Sequence, residues 1–223
     1  MTTRLWVAAA LCLGVSLTPW GPLALYPFTL FTTWVHECGH AIATVLLGGA
    51  VASITIRSDT SGLTRSVIPA STLGQAIVAS AGYLTASLVG SLLLTASRVD
   101  RRAKPILWAT GVCMLVTLVL WIRNLFGAFV VTGWAIALLI VGGKRATRGL
   151  AGFAMSVLAI QVCLNAVFDL RVLFLVHGPS DAATMARLTG VSAYVWASVW
   201  MGISVVLLAS TLRATRRGTR RRD

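Results

Sequence analysis

Apolar residues fill most of the chain in long runs, at 5–17, 23–47, 73–96, 105–122, 125–141, 149–176 and 191–212, with short polar or basic stretches between them. Most of these runs reach or approach the roughly 20 residues a helix needs to cross a hydrocarbon core about 30 Å thick. The predicted fold is an all-α polytopic membrane protein, a bundle of six or seven transmembrane helices. The number turns on whether the first run is a signal segment or a retained span. Retention is the expectation, because Ser16-Leu17-Thr18-Pro19-Trp20 is a poor small-residue cleavage site.

One stretch breaks the pattern. Between residues 50 and 69, Val51, Ser53 and Thr55 alternate with Ala52, Ile54 and Ile56, and Asp59-Thr60-Ser61-Gly62 supplies turn chemistry before 63–68. This predicts a small β-hairpin after the second run, outside the membrane or at its edge. Within 73–96, Gly82, Ala86 and Gly90 recur at every fourth position, a stripe of small residues that lets another helix approach closely. Only Arg123-Asn124 separates two later runs, so the helices flanking it should form an antiparallel pair.

Composition agrees with the pattern: 57% of the 223 residues are apolar and 11% are charged, which excludes an ordinary soluble domain. A net charge of +13 would point to nucleic acid in a soluble protein. Here the basic residues gather at run ends and in the tail, so the expected partner is the lipid bilayer, with no nucleic acid. If the runs alternate across the membrane, the basic connections 98–104 and 144–148 fall on the same side as the tail, which the positive-inside rule makes the cytoplasm. The reading is one transmembrane domain over 1–212 and a basic cytoplasmic tail over 213–223, in a plasma membrane of bacterial type, with the hairpin outside. Cys12, Cys38, Cys113 and Cys163 lack the paired spacing of disulfides or thiolate metal sites and read as small buried hydrophobes.

Candidate chemistry lies in the second run, at His36-Glu37-Cys38-Gly39-His40. Imidazoles four residues apart share one helix face, within reach of a single metal ion, and the spacing suits two zinc ligands. Zinc brings the pKa of bound water toward about 7, and an adjacent glutamate can take its proton and pass it to a leaving amine. Glu37 is thus the candidate general base. Ionisable groups inside a spanning segment are costly and face a partner, a metal or a water-filled cavity. Glu37 is also the only glutamate in the chain, and two of its three histidines are in the motif.

The series Phe31, His36-Glu37-Cys38-Gly39-His40-Ala41, Gly48-Gly49 and Ser61-Gly62-Leu63-Thr64 resembles the site-2 protease family of intramembrane zinc metallopeptidases, in its short B-like branch. Ala81-Gly82-Tyr83-Leu84, Ser180-Asp181-Ala182, Trp196 and Trp200 are similar to the same branch. The resemblance implies zinc as cofactor, a membrane-anchored protein substrate, and cleavage of a peptide bond within or beside the bilayer. Proteolytic members carry a third ligand in an Asn-x-x-Pro…Leu-Asp-Gly pattern, and no Leu-Asp-Gly occurs here. Asn124-Leu125-Phe126-Gly127 is similar to the front of that pattern, which makes Asn124 a candidate for holding substrate backbone beside its simpler reading as a turn residue.

Chemistry asks for a carboxylate as third ligand. Asp59 fits a hairpin turn, Asp100 lies among arginines and Asp223 is terminal, which leaves Asp169 and Asp181. Asp169 is favoured on depth, since an acid toward the outer end of an apolar helix needs a partner, for which Arg171 is the alternative. Asp181 is the other choice, although it also reads as a first-turn acid behind an N-cap at Ser180. His177 could serve as a ligand too, but its simpler reading is an interfacial histidine. Two rivals to an endopeptidase remain: a catalytically inactive metal-binding membrane scaffold, which the missing Leu-Asp-Gly favours, and a proton or metal transporter, which would need a second intramembrane His/Glu cluster that the chain lacks.

Overall fold

Gly48 and Gly49 stop the motif helix, and the stop sets the geometry of everything that follows. In a computed structural model that describes residues 2–97, 99–172 and 180–220, with backbone alone at 2–3, 100, 169–172 and 214–220, Gly48 adopts φ +75°. Its N–H donates to Val45 O and that of Gly49 to Thr44 O, a left-handed closure that a residue with a Cβ adopts at a cost. The chain turns back at once into the hairpin. Among the described residues the order is α1 (Thr2–Ser16), α2 (Gly21–Leu46), β1 (Ala50–Ile56), β2 (Gly62–Val67), α3 (Thr72–Ala96), α4 (Asp100–Leu120), α5 (Leu125–Gly142), α6 (Arg148–Val172), α7 (Asp181–Thr189) and α8 (Ala193–Arg220).

Among the described residues, five helices are each long and apolar enough to cross a membrane: α3, α4, α5, α6 and α8. The pair α1 and α2 qualifies together, bent by 120° between Ser16 and Gly21, giving up to six spans. The all-α membrane bundle with a small hairpin is therefore the observed class, and a seventh span is not among the helices of the described residues. The reason is local. At 15 residues α1 is only about 22 Å long, short of the hydrocarbon core, while the His, Glu and Thr residues of α2 dilute its apolar character.

The hairpin pairs antiparallel with Ile54 opposite Thr64 and Ile56 opposite Gly62, and its register shifts between Val51 and Ser53. Asp59 caps the turn, accepting from the Ser61 N–H at 2.9 Å and the Ser61 hydroxyl at 2.6 Å, and these bonds hold its carboxyl below the usual carboxylate range. The hairpin lies along α2: the Tyr26 hydroxyl donates to Ser58 O, that of Thr33 to Thr60 O, and that of Thr44 to Ser66 Oγ. Ile54 and Ile56 are fully buried. Backbone beside a membrane helix must have its polar groups satisfied by protein, and the outer edge of β1 meets that demand. Ile54 N–H donates to Trp121 O and Ile54 O accepts from Arg123 N–H, in the link between α4 and α5.

The expected small-residue stripe on α3 makes two close approaches. A Cβ at Gly82 would fall on the His36 and His40 rings of α2, and one at Gly90 would meet Cys163 Sγ on α6. The main core joins α2 to α6 with Ile54 and Ile56. A second cluster binds α7 to α3 and α8 through Ala79, Ala182, Met185 and the fully buried Trp200. Cys12, Cys38 and Cys163 are buried as expected, whereas Cys113 is exposed on α4.

Candidate metal centre

Helical spacing alone brings His36 and His40 to one face of α2, and their Nε2 atoms lie 3.0 Å apart. Two glycines let α3 close on that face: a Cβ at Gly39 would strike Ala81 O and Thr85, and one at Gly82 would strike both imidazoles. The third member comes from far along the chain. Asp181 Oδ2 lies 3.1 Å from His36 Nε2 and 3.2 Å from His40 Nε2.

Asp181 reaches this point because α7 is anchored on both sides of it. Ser180 caps the helix by accepting from Ala183 N–H at 3.1 Å, and Ala182 and Met185 are buried against α3 and α8. Gly190, at φ +72°, ends the helix, and Trp196 Nε1 donates to Thr189 Oγ1 at 3.0 Å.

The donor set fits a metal ion. His40 Nδ1 lies 2.7 Å from the Val78 carbonyl, which can only accept, so this nitrogen carries the proton and a neutral ring turns the lone pair of Nε2 inward. That lone pair meets the His36 ring and a carboxylate at about 3 Å, a repulsive arrangement unless a cation or proton sits between them. The three atoms are spaced close to the roughly 3.3 Å expected between ligands on a tetrahedral zinc with bonds of about 2.0–2.1 Å. His36, His40 and Asp181 thus form a cluster capable of holding a metal ion.

Glu37 lies on the flank of this face, where it is buried against the hairpin. Thr64 Oγ1 lies 2.6 Å from Glu37 Oε2 and 3.0 Å from Glu37 O. Behind the metal cluster, the Tyr83 ring stands perpendicular to His36 with centroids 4.6 Å apart and stacks on Trp200 at 5.2 Å.

The structure brings together His36, His40 and the alternative carboxylate Asp181. The side chain of the favoured carboxylate, Asp169, lies outside the described residues, as does His177; depth along α6 was the argument for Asp169, and it carries no information on α7, which packs on α3 and α8 and turns Asp181 toward the histidines. Asn124 lies beside the hairpin: its Nδ2 donates to Ile56 O and its Oδ1 accepts from Ile56 N–H. Spacing alone could not have found Val78, whose carbonyl rather than side chain does the work. Thr64, Tyr83 and Trp200 did carry a signal, since all three stand in the motifs that resemble the site-2 proteases.

The model of the Peptidase M50B-like family matches residues 6–211. The chain belongs to this family. Comparison with curated proteins and with solved structures returns no match. In a member of the M50B-like peptidases, a His/His/Asp cluster set among membrane helices is the centre of a zinc-dependent intramembrane metallopeptidase.

Proposed function

We propose that this peptidase cleaves membrane-anchored protein segments, with His36, His40 and Asp181 holding zinc and Glu37 as general base. The observation that carries the reading is the convergence of Asp181 on the two imidazoles, which supplies the carboxylate that the missing Leu-Asp-Gly left in question. Zinc at this cluster would supply Lewis-acid chemistry and make water a competent nucleophile near neutral pH. Glu37, beside the cluster and away from bulk water, takes the proton of the attacking water on its carboxylate and returns it to the leaving amine nitrogen. Val78 holds the orientation of His40 throughout, and Tyr83 backs His36.

A helical substrate must unwind before attack, because helical hydrogen bonds shield its carbonyl groups. The hairpin is suited to receive the unwound segment by strand addition. Since β1 already has Trp121–Arg123 on its outer edge, the receiving edge would be that of β2, which also lies against Glu37. On this reading Asn124 serves substrate indirectly, by holding β1 in place. The tail is proposed to face the cytoplasm.

The distinct jobs of Glu37 and the histidines provide the test. Glu37→Gln keeps both imidazoles, so zinc should stay near one per chain while cleavage of a model transmembrane peptide falls by about 10²–10⁴-fold. His36→Ala should lose both metal and cleavage. Full complementation of a deletion by Glu37→Gln, with zinc bound and no cleavage by wild type, would favour the scaffold instead.

A further inference from the structure

Strand β2 does more than border the cluster: two of its residues, two positions apart and so on one face, lie directly on Glu37. Thr64 Oγ1 stands within hydrogen-bond distance of Glu37 Oε2 at 2.6 Å and of Glu37 O at 3.0 Å, so one hydroxyl ties both the carboxylate and the backbone of the same residue. Because a carbonyl and an ionised carboxylate only accept, Thr64 is the donor. Gly62 occupies the place where a Cβ would fall on Glu37 Oε1, Cγ and Cδ. Its φ is not in the left-handed region, so the backbone here does not ask for glycine; the space does.

We propose that Thr64 and Gly62 are positioning residues for the general base: Thr64 fixes Oε2, and the missing side chain of Gly62 keeps Oε1 free as the oxygen that receives the proton. This rests on the reading of Glu37 as base and deepens it. A carboxylate held by one charge-assisted hydrogen bond keeps a single rotamer, while its second oxygen stays available. The strand that carries both residues is itself fixed from behind. Thr64 pairs with Ile54, and Ile54 is bonded on its other edge to Trp121 and Arg123. The position of the base is therefore set by the hairpin as well as by α2. The sequence marks the same two residues, within Ser61-Gly62-Leu63-Thr64.

Valine is the discriminating substitution at Thr64, since it keeps the shape and the strand preference and removes only the hydroxyl. In proteoliposomes with a model transmembrane peptide, Thr64→Val should lower kcat by about 10-fold or more, with KM and zinc content unchanged, and Thr64→Ser should restore it. Gly62→Ala should act alike, because the atoms it meets are the movable end of Glu37 rather than backbone. Wild-type kcat in Thr64→Val or Gly62→Ala, or a serine variant as slow as valine, overturns the proposal while leaving the peptidase reading intact. If wild type cleaves nothing, the peptidase reading fails on its own, and thermal melts of metal-free Thr64→Val, Glu37→Ala and the double variant still decide the contact. Losses that fail to add support it, and strict additivity overturns it.

Discussion

Asn124 places both ends of its amide on one residue of β1: Nδ2 donates to Ile56 O at 2.7 Å and Oδ1 accepts from Ile56 N–H at 3.2 Å. The side chain thereby stands in for the next residue of a strand and extends the pairing begun by Trp121 and Arg123. Leucine at 124 keeps similar bulk and leaves both Ile56 groups without a partner. Asn124→Leu should destabilise the protein by about 1–3 kcal/mol, and hydrogen exchange should rise at Ile56 with zinc content preserved. Unchanged exchange at Ile56 would refute this role.

The carboxylate assignment separates cleanly by metal content. Asp181→Ala should lose zinc, since two imidazoles alone hold it poorly against water and buffer, whereas Asp169→Ala should retain about one zinc per chain. Elemental analysis of the purified variants reads the result, and the reverse pattern would return the ligand to Asp169.

Gly82 should be intolerant for a reason unrelated to helix propensity. Alanine is the better helix former by about 1 kcal/mol, yet its methyl group would fall on the facing nitrogens of His36 and His40. Gly82→Ala is expected to keep its helical circular dichroism and weaken zinc binding by about 10-fold or more, in the range seen when ligand orientation is disturbed. Full affinity in a competition titration with a chelator would contradict the geometry.

Trp200 is fully buried against Tyr83 and the cluster that anchors α7. Trp200→Ala should cost about 3–5 kcal/mol, with zinc affinity falling as the support for Asp181 loosens, and Trp200→Phe should cost less. Thermal melts with and without zinc measure both effects.

Topology gives a further test. With the tail in the cytoplasm, Arg101→Cys should be labelled by an impermeant thiol reagent from the cytoplasmic side and Ala70→Cys, in the exposed link before α3, from the other. Labelling of both from one side would reject the arrangement.

Much of this protein is written in local pattern. Apolar runs mark the helices, because a segment that crosses lipid must satisfy its own backbone and cover it with apolar side chains. The hairpin is legible from alternation and turn residues, and the pairing of His36 with His40 from the helical repeat alone. Glu37 stands out because a lone carboxylate in such a segment needs a purpose. What the chain does not display is anything that depends on residues distant in sequence. Asp181 is 141 residues beyond His40, and nothing in its neighbourhood states that α7 docks on α3 and α8 and turns the carboxylate toward α2. The alternation of the hairpin fits any half-buried sheet and names no partner; the hydroxyls of Tyr26, Thr33 and Thr44 and the link at Trp121 decide that it lies along α2. Periodicity reports which face of an element is apolar, whereas the partner of that face is chosen by packing and hydrogen-bond satisfaction across the whole bundle, and at this site those long-range contacts bring the carboxylate of Asp181 to the histidines and the hairpin to Glu37.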